Sequence, residues 1–327
     1  MAQHGSARQE PCSIPCNLCG STEVSLLANR SRSGKPLRTV VCIRCGLVWS
    51  DPVPHNPRRF YEDDYRISYK GTYSPKIKHI LHAGNVAMSR YRKIKPLLSE
   101  RRVILDVGTG GGEFAYLLQS FEHDVHGIEP NKGYAEYSIR EYGLNVQLGF
   151  AQDVILPKET FDVITIWHVL EHTENPYAIL VKLHALLKEH GILVIEVPNI
   201  EATCQSPQNT FHEAHLFNFN VKTLNTLAKK ASFIEEEYSI SADGGNITMF
   251  VRKASENIDN NAWAIPGNSE RIIHTVRNHT PFRHYISGNP YVRLYRRICQ
   301  SLREQRSIRD FQSGKLLLDR LYSPLHG

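Results

Sequence analysis

Long apolar runs are missing from this 327-residue chain. Nothing in it approaches the roughly 20 consecutive apolar residues of a membrane-spanning helix, and no membrane partner is expected. The opening stretch MAQHGSARQEPCSIPC has no apolar signal-type core, so a cytoplasmic protein is expected. A broad basic surface is missing as well. The net charge of +6 arises after Val251, where 13 Lys and Arg face 6 Asp and Glu; the preceding 251 residues sum to −1. That distribution speaks against a nucleic-acid-binding protein. The seven cysteines cannot all pair, which argues against a disulfide framework. With 41% hydrophobic and 22% charged residues, the chain suits one large domain plus appendages.

Four of the cysteines form two Cys-x-x-Cys pairs, CNLCG (Cys16, Cys19) and CIRCG (Cys42, Cys45), with 22 residues between them. Each pair supplies two thiolates from one tight turn, and Gly20 and Gly46 follow where a side chain would crowd that turn. Between them, VSLLANRS and LRTVVCI read as strands around the turn SRSGKP. This is the pattern of a zinc ribbon over residues 1–54, with a structural Zn2+ on Cys16, Cys19, Cys42 and Cys45. Four thiolates leave no open coordination position, so the metal is expected to be structural and not catalytic. Cys12 reads as a loop residue.

A Pro-rich aromatic linker and a helix near 76–98 occupy 55–99, and then RRVILDVGTGGGEFAYLLQSF reads as buried strand, glycine turn and helix. Such a turn lets backbone amides approach a ligand, with the helix N-terminus favouring an anionic group. DVHGIEPN follows as a strand ending at Glu129, a carboxylate placed to accept both hydroxyls of a ribose; NAD sites share this feature, so it points to an adenosine-type ligand and no further. The alternation continues through NKGYAEYSIREYG, with Gly143 as a C-cap, NVQLG, FDVITIW, NPYAILVKLHALLKEHG with Asn175 as N-cap, GILVIEVPN, NVKTLNTLAKKASF, IEEEYSI and NITMFVRK. An α/β fold with a doubly wound, mostly parallel, seven-stranded Rossmann-like sheet is expected over 100–253, its last strand antiparallel.

The motifs ILDVGTGGGEF, GIEPN, FDVITIWHVLEH, HGILVIEVPN and HLFNFNVKTLNTLAKKASF together resemble class I S-adenosylmethionine-dependent methyltransferases. The preceding ribbon resembles a subset of that family whose members include enzymes acting on sugars and other small metabolites. The resemblance implies S-adenosylmethionine as cofactor. Asp106, Gly108, Gly110 and Gly112 would shape its methionine end, Glu129 would bind its ribose, and Pro130, Asn131, Ala151 and Gln152 would flank its adenine. Phe150 stands where many relatives carry an Asp.

In ITIWHVLEHTENP the spacing of His168, Glu171 and His172 predicts one helical turn with all three side chains on one face. In the expected fold this turn follows the fourth strand, which puts Trp167 and His168 near the sulfonium and the acceptor. Histidine suits removal of the acceptor's proton. By resemblance, quinone-pathway O-methyltransferases carry a Glu-x-x-Glu-His version of the turn implicated in divalent-metal binding. Helix capping and bridging by Glu171 and His172 is the plainer reading. His215, in FHEAHLFNF, is the second candidate base, with His212, Glu213 and Phe217 in the same segment.

Residues 254–327 are expected to form a basic helical extension, with Val292, Tyr295, Ile298 and Leu302 at helical spacing on a face turned to the protein. The expectation is methyl transfer to a small hydroxylated acceptor, most directly O-methylation of a sugar, nucleotide sugar or related metabolite, by an enzyme that could self-associate. The rival readings are C-methylation of a nucleotide-linked sugar, an RNA-binding protein, and a non-catalytic cofactor-sensing subunit.

Overall fold

The computed structural model describes residues 9–53, 75–254, 263–287, 290–293, 295, 298–299, 304, 311 and 313–325. It divides into two compact units, one comprising Met1–Pro57, Trp167–His184 and Val194–Tyr291, the other Arg58–Ile166, Ala185–Leu193 and Val292–Gly327. No helix among the described residues is long and apolar enough to cross a membrane.

The first unit opens with strands β1 (Gln9–Pro11), β2 (Glu23–Arg30), β3 (Pro36–Cys42) and β4 (Val48–Ser50). β2 and β3 are joined by the expected turn, where Gly34 adopts φ +81° and donates to the carbonyl of Ser31. The sheet does not end at β4. Its fifth strand is β10 (Phe217–Asn218), which pairs antiparallel with β4, Phe217 opposite Trp49. The ribbon's apolar face joins this later segment in one core, where Leu37, Val41 and Val48 cluster with Ile200, Phe211 and Ile272. Ile272 belongs to a helix of the C-terminal region, Asn268–Asn278.

The second unit carries helix α1 (Ile77–Ile94), strand β5 (Val103–Val107), helix α2 (Glu113–Ser120), strand β6 (Asp124–Glu129), helix α3 (Lys132–Tyr142), strand β7 (Asn145–Leu148) and nearly all of strand β8 (Phe161–Trp167). β5 lies between β6 and β8 and is parallel to both, and β6 is parallel to β7. Valine and isoleucine fill β5 and β8 because both faces of a parallel sheet are covered. Helix α4 (Pro176–Leu186), strand β9 (Leu187–Pro198), helix α5 (Val221–Lys230) and strands β11 (Phe233–Ile240) and β12 (Asn246–Lys253) complete the alternation. The seven-stranded sheet runs β11-β12-β9-β8-β5-β6-β7, with β11 and β12 antiparallel. The fold is thus the expected Rossmann-like α/β sheet. The strand order reverses beside β5, the place where such sheets bind ligands beyond their carboxyl ends.

Two readings need correction. The helix expected to run to Gly191 stops at Leu186, because the amides of Glu159 and Thr160 take the carbonyls of Ala185 and Leu186 and the chain turns directly into β9. In the C-terminal region, Val292, Tyr295 and Ile298 are exposed, not turned inward, among the described residues; Leu302 and linker residues 54–74 lie outside the described residues. The caps fall where they were expected. Asn175 accepts from the amide of Ala178, and Gly143 closes α3 at φ +69°.

Candidate functional site

In the second unit the chain leaves β5 at Asp106 and Val107 and enters the glycine loop. Gly108, Gly110 and Gly112 all have positive φ, at +77°, +59° and +92°. The requirements at Gly112 and Gly110 differ in kind. A Cβ on Gly112 would stand 2.7 Å from Leu144 Cδ1 and Ser138 Cβ, so the loop is pressed against α3 there. A Cβ on Gly110 would meet no described atom within 4 Å, so that backbone faces open space. The Gly110 amide donates to Glu129 Oε2 at 2.8 Å, and the Asn131 amide to Oε1 at 2.8 Å. Glu129 is buried, which pushes its pKa up to about 7 against the pull of those two amides. Each of its oxygens retains a lone pair for a hydroxyl donor.

Asp106 is also buried, and its pKa is pushed up to about 6; its partner is Thr165 on the neighbouring β8, whose hydroxyl donates to Oδ1 at 2.7 Å. Nothing in the sequence singled Thr165 out, since it is one more residue of a buried strand. Pro130 follows Glu129 directly. The loop with Ala151 and Gln152 is drawn to the same strand end, the Gly149 amide donating to the Glu129 carbonyl at 3.1 Å. Ala151 is buried and Gln152 half-buried.

The first unit holds the histidines. His168 does not share a helical turn with Glu171 and His172: it sits at φ +56°, and only Leu170–His172 form a short 3-10 turn. The expected meeting still occurs. His168 Nδ1 lies 3.3 Å from Glu171 Oε1, and its Nε2 lies 3.3 Å from Glu196 Oε1. Glu196 is further fixed by the Thr248 hydroxyl at 2.7 Å. Burial works against charge on His168, but hydrogen bonds and charge from both carboxylates prevail and its pKa is pushed up to about 9. His215 has the opposite environment. Burial first, and then the neighbouring His172, His212 and His168, outweigh Glu171 and bring its pKa down to about 4.

His172 contacts the Ala214 carbonyl through Nδ1 at 2.7 Å, and its ring stands 4.9 Å from that of His215. The His212 ring is 5.1 Å from His215. Glu171 Oε2 is buried with no hydrogen-bond partner among the described residues. Glu171, His172 and His215 bring one donor atom each within 4.8 Å of one another. The pairing of His168 with Glu196 has no local signature, because the two are 28 positions apart and meet across strands.

The four cysteines converge in the first unit, their sulfurs all within 4.8 Å of each other. Cys16 and Cys45 approach to 3.5 Å and Cys19 and Cys42 to 3.4 Å. Tetrahedral coordination at about 2.3 Å sets sulfurs about 3.8 Å apart, so the cluster has the size that zinc requires. Gly20 and Gly46 take φ +74° and +82°, and their amides close each turn onto the carbonyls of Cys16 and Cys42. Cys12 stays apart, bonded to the Ile14 carbonyl.

A glycine loop after the first strand of a doubly wound sheet, with a carboxylate at the end of the second, is an arrangement that nucleoside-binding α/β domains share. Residues 80–234 match a family described as a methyltransferase domain. Among curated proteins the chain is similar to the ubiquinone biosynthesis O-methyltransferase of Glaesserella parasuis, 33% identical over 106 residues that cover 29% of this chain and 45% of that one. The protein of the same name from Histophilus somni is 33% identical over 112 residues, 31% of this chain and 47% of that one. The chain thus spans about half the length of these relatives. A solved S-adenosylmethionine-dependent methyltransferase from Archaeoglobus fulgidus superposes on 52% of this chain and 94% of its own, at 18% identity and a TM-score of 0.45.

Proposed function

We propose that the chain transfers the methyl group of S-adenosylmethionine to a hydroxyl oxygen of a small metabolite, a sugar or nucleotide sugar being the acceptor class, and that Cys16, Cys19, Cys42 and Cys45 hold a structural zinc ion. The observation that carries this reading is the division of labour among the histidines. His168 is an imidazolium clamped by two carboxylates, whereas His215 is kept neutral with a lone pair to offer. The order of the candidates therefore reverses: His215 is the base and His168 the charge that organises Glu171 and Glu196.

S-adenosylmethionine supplies an already activated methyl group on a sulfonium. The glycine loop, with Asp106, would hold the methionyl part, and the ionised Glu129 would accept the ribose hydroxyls. Pro130, Ala151 and Gln152 would line the remainder of the second unit's site. His215 would take the acceptor's proton onto a ring nitrogen as the acceptor oxygen takes up the methyl group, the bonding pair of the sulfonium staying on sulfur. A weak base suffices because the leaving group is neutral once departed. The carboxylate of Glu171 then stabilises the new imidazolium, while His172 is held by the Ala214 carbonyl.

The test is incubation of zinc-replete protein with methyl-labelled S-adenosylmethionine and a panel of sugars, nucleotide sugars and catechols. Labelled product methylated on oxygen is expected, with turnover falling about 100-fold or more in His215→Gln. Label on a carbon next to a carbonyl would favour C-methylation instead. Transfer undiminished in His215→Gln would remove His215 from the reaction.

A further inference from the structure

The ribbon could be a docking module or a cover, but its polar edges are spent inside its own unit. They converge on the segment that carries His212 and His215. At the start of that segment the Arg32 amide, in the β2–β3 turn, donates to the Phe211 carbonyl at 2.8 Å. In its middle, Glu213 Oε1 accepts the hydroxyl of Ser31 at 2.7 Å and that of Ser33 as well. At its end, the Ser50 amide donates to the Leu216 carbonyl at 3.0 Å, and the chain continues into β10 alongside β4. The Phe211 ring lies in the apolar cluster with Leu37, Val41 and Val48 of the ribbon. A stretch of only a few residues is therefore fastened at both ends and in the middle by one module. Its own Ala214 carbonyl holds His172 in turn.

The ribbon's geometry is itself set by the cysteine turns. The Leu47 amide points to Cys45 Sγ at 3.4 Å, the Cys42 amide donates to the Leu47 carbonyl at 2.8 Å, and β4 begins at the next residue. Both turns are anchored from outside. Lys230 at the end of α5 donates to the carbonyls of Asn17 and Leu18 at 3.0 and 2.9 Å, and Asn17 Oδ1 accepts the Tyr177 amide at the start of α4. Buried Asn268 donates to the Cys45 carbonyl at 2.9 Å and accepts from Asn220, the N-cap of α5. Gly46 is required here, because a Cβ would stand 2.5 Å from Asn268 Nδ2.

We propose that the ribbon is the mount of the histidine segment: Ser31, Ser33 and Ser50 are positioning residues that fix His212–His215, and metal loading of the cysteine turns sets the order of that segment. Only the catalytic consequence rests on the reading of His215 as the base. A sheet whose turns are closed by thiolates loses its register without the cation, and the ties made by Ser31, Ser33 and Ser50 start from that sheet and its β2–β3 turn. The glycine loop hangs on β5 and β6 and is not part of this network.

Hydrogen exchange and calorimetry with S-adenosylmethionine separate these roles, using zinc-replete wild type, Ser31→Ala/Ser33→Ala and Ser31→Thr/Ser33→Thr. In the alanine pair, amides of 211–218 should exchange about tenfold faster, while cofactor affinity and the protection of β5 and β6 stay within about twofold. The threonine pair keeps both hydroxyls and should restore protection to near the wild-type level. Chelation of the full chain should accelerate the same segment at least as much as the alanine pair does. Unchanged exchange of 211–218 in the alanine pair, or failure of threonine to rescue it, would overturn the proposal. Exchange in this experiment is read without methyl transfer, so loss of cofactor binding in wild type would sink the methyltransferase reading and leave the mount standing.

Discussion

Replacing His168 by asparagine tests the electrostatic core of the histidine cluster. Asparagine tolerates the φ of +56° at this position better than most residues, so the change removes the charge with little backbone penalty. An imidazole whose pKa is pushed up to about 9 from 6.5 contributes roughly 3 kcal/mol of folding free energy, at about 1.4 kcal/mol per pKa unit. A third of the ring is exposed, and screening reduces this to about 2 kcal/mol. The sign follows from proton linkage. The folded chain holds this proton more tightly than the unfolded one, so the contribution is complete below pH 6.5 and is lost as pH rises through about 9. His168→Asn should therefore cost about 2 kcal/mol at pH 6, where Glu171 and Glu196 are left facing each other, and almost nothing at pH 10. Trp49, Trp167 and Trp263 are the only tryptophans and all lie in the first unit, so urea unfolding followed by fluorescence reports on that unit. An equal loss at pH 6 and pH 10 would refute the assignment of His168 as a cation.

Three further outcomes follow from the cofactor loop. Thr165→Val removes the hydroxyl on buried Asp106 and should lower stability by about 1.5–3 kcal/mol, measured by circular dichroism in urea. Gly112→Ala, with φ +92° and a Cβ 2.7 Å from two atoms, should cost about 2 kcal/mol or more in the same measurement; Gly110→Ala should cost less stability and show its effect in cofactor affinity. Ionised Glu129 is the form that accepts ribose hydroxyls, and its pKa is pushed up to about 7, so affinity for S-adenosylmethionine should fall several-fold, about tenfold at most, between pH 8 and pH 6. Glu129→Gln should bind weakly and without that pH dependence.

Local patterns carried most of the architecture into the sequence. The strand–glycine–helix motif, the two cysteine turns and the caps at Asn175 and Gly143 each depend on neighbours within a few residues, and the structure contains each of them. What depended on distant partners was not legible. β10 is two residues long and has no period to detect, yet it extends the ribbon sheet. The end of α4 was decided by amides at 159 and 160, not by the helical residues themselves. The different surroundings of His168 and His215 were not legible either, because Glu196, on β9, bears on one and the burial of the 212–215 segment on the other. A histidine's chemistry follows from its surroundings more than from its spacing.

A working S-adenosylmethionine site formed by the glycine loop and Glu129 is what the proposed methyl transfer requires first. Calorimetric titration of S-adenosylmethionine and S-adenosylhomocysteine into folded, zinc-replete protein tests it most directly. Saturable binding of both at about one site per chain with Kd of micromolar order, lost in Glu129→Ala, is the predicted result. Absence of binding heat for either ligand at several temperatures, with the protein folded and zinc-loaded, would contradict it.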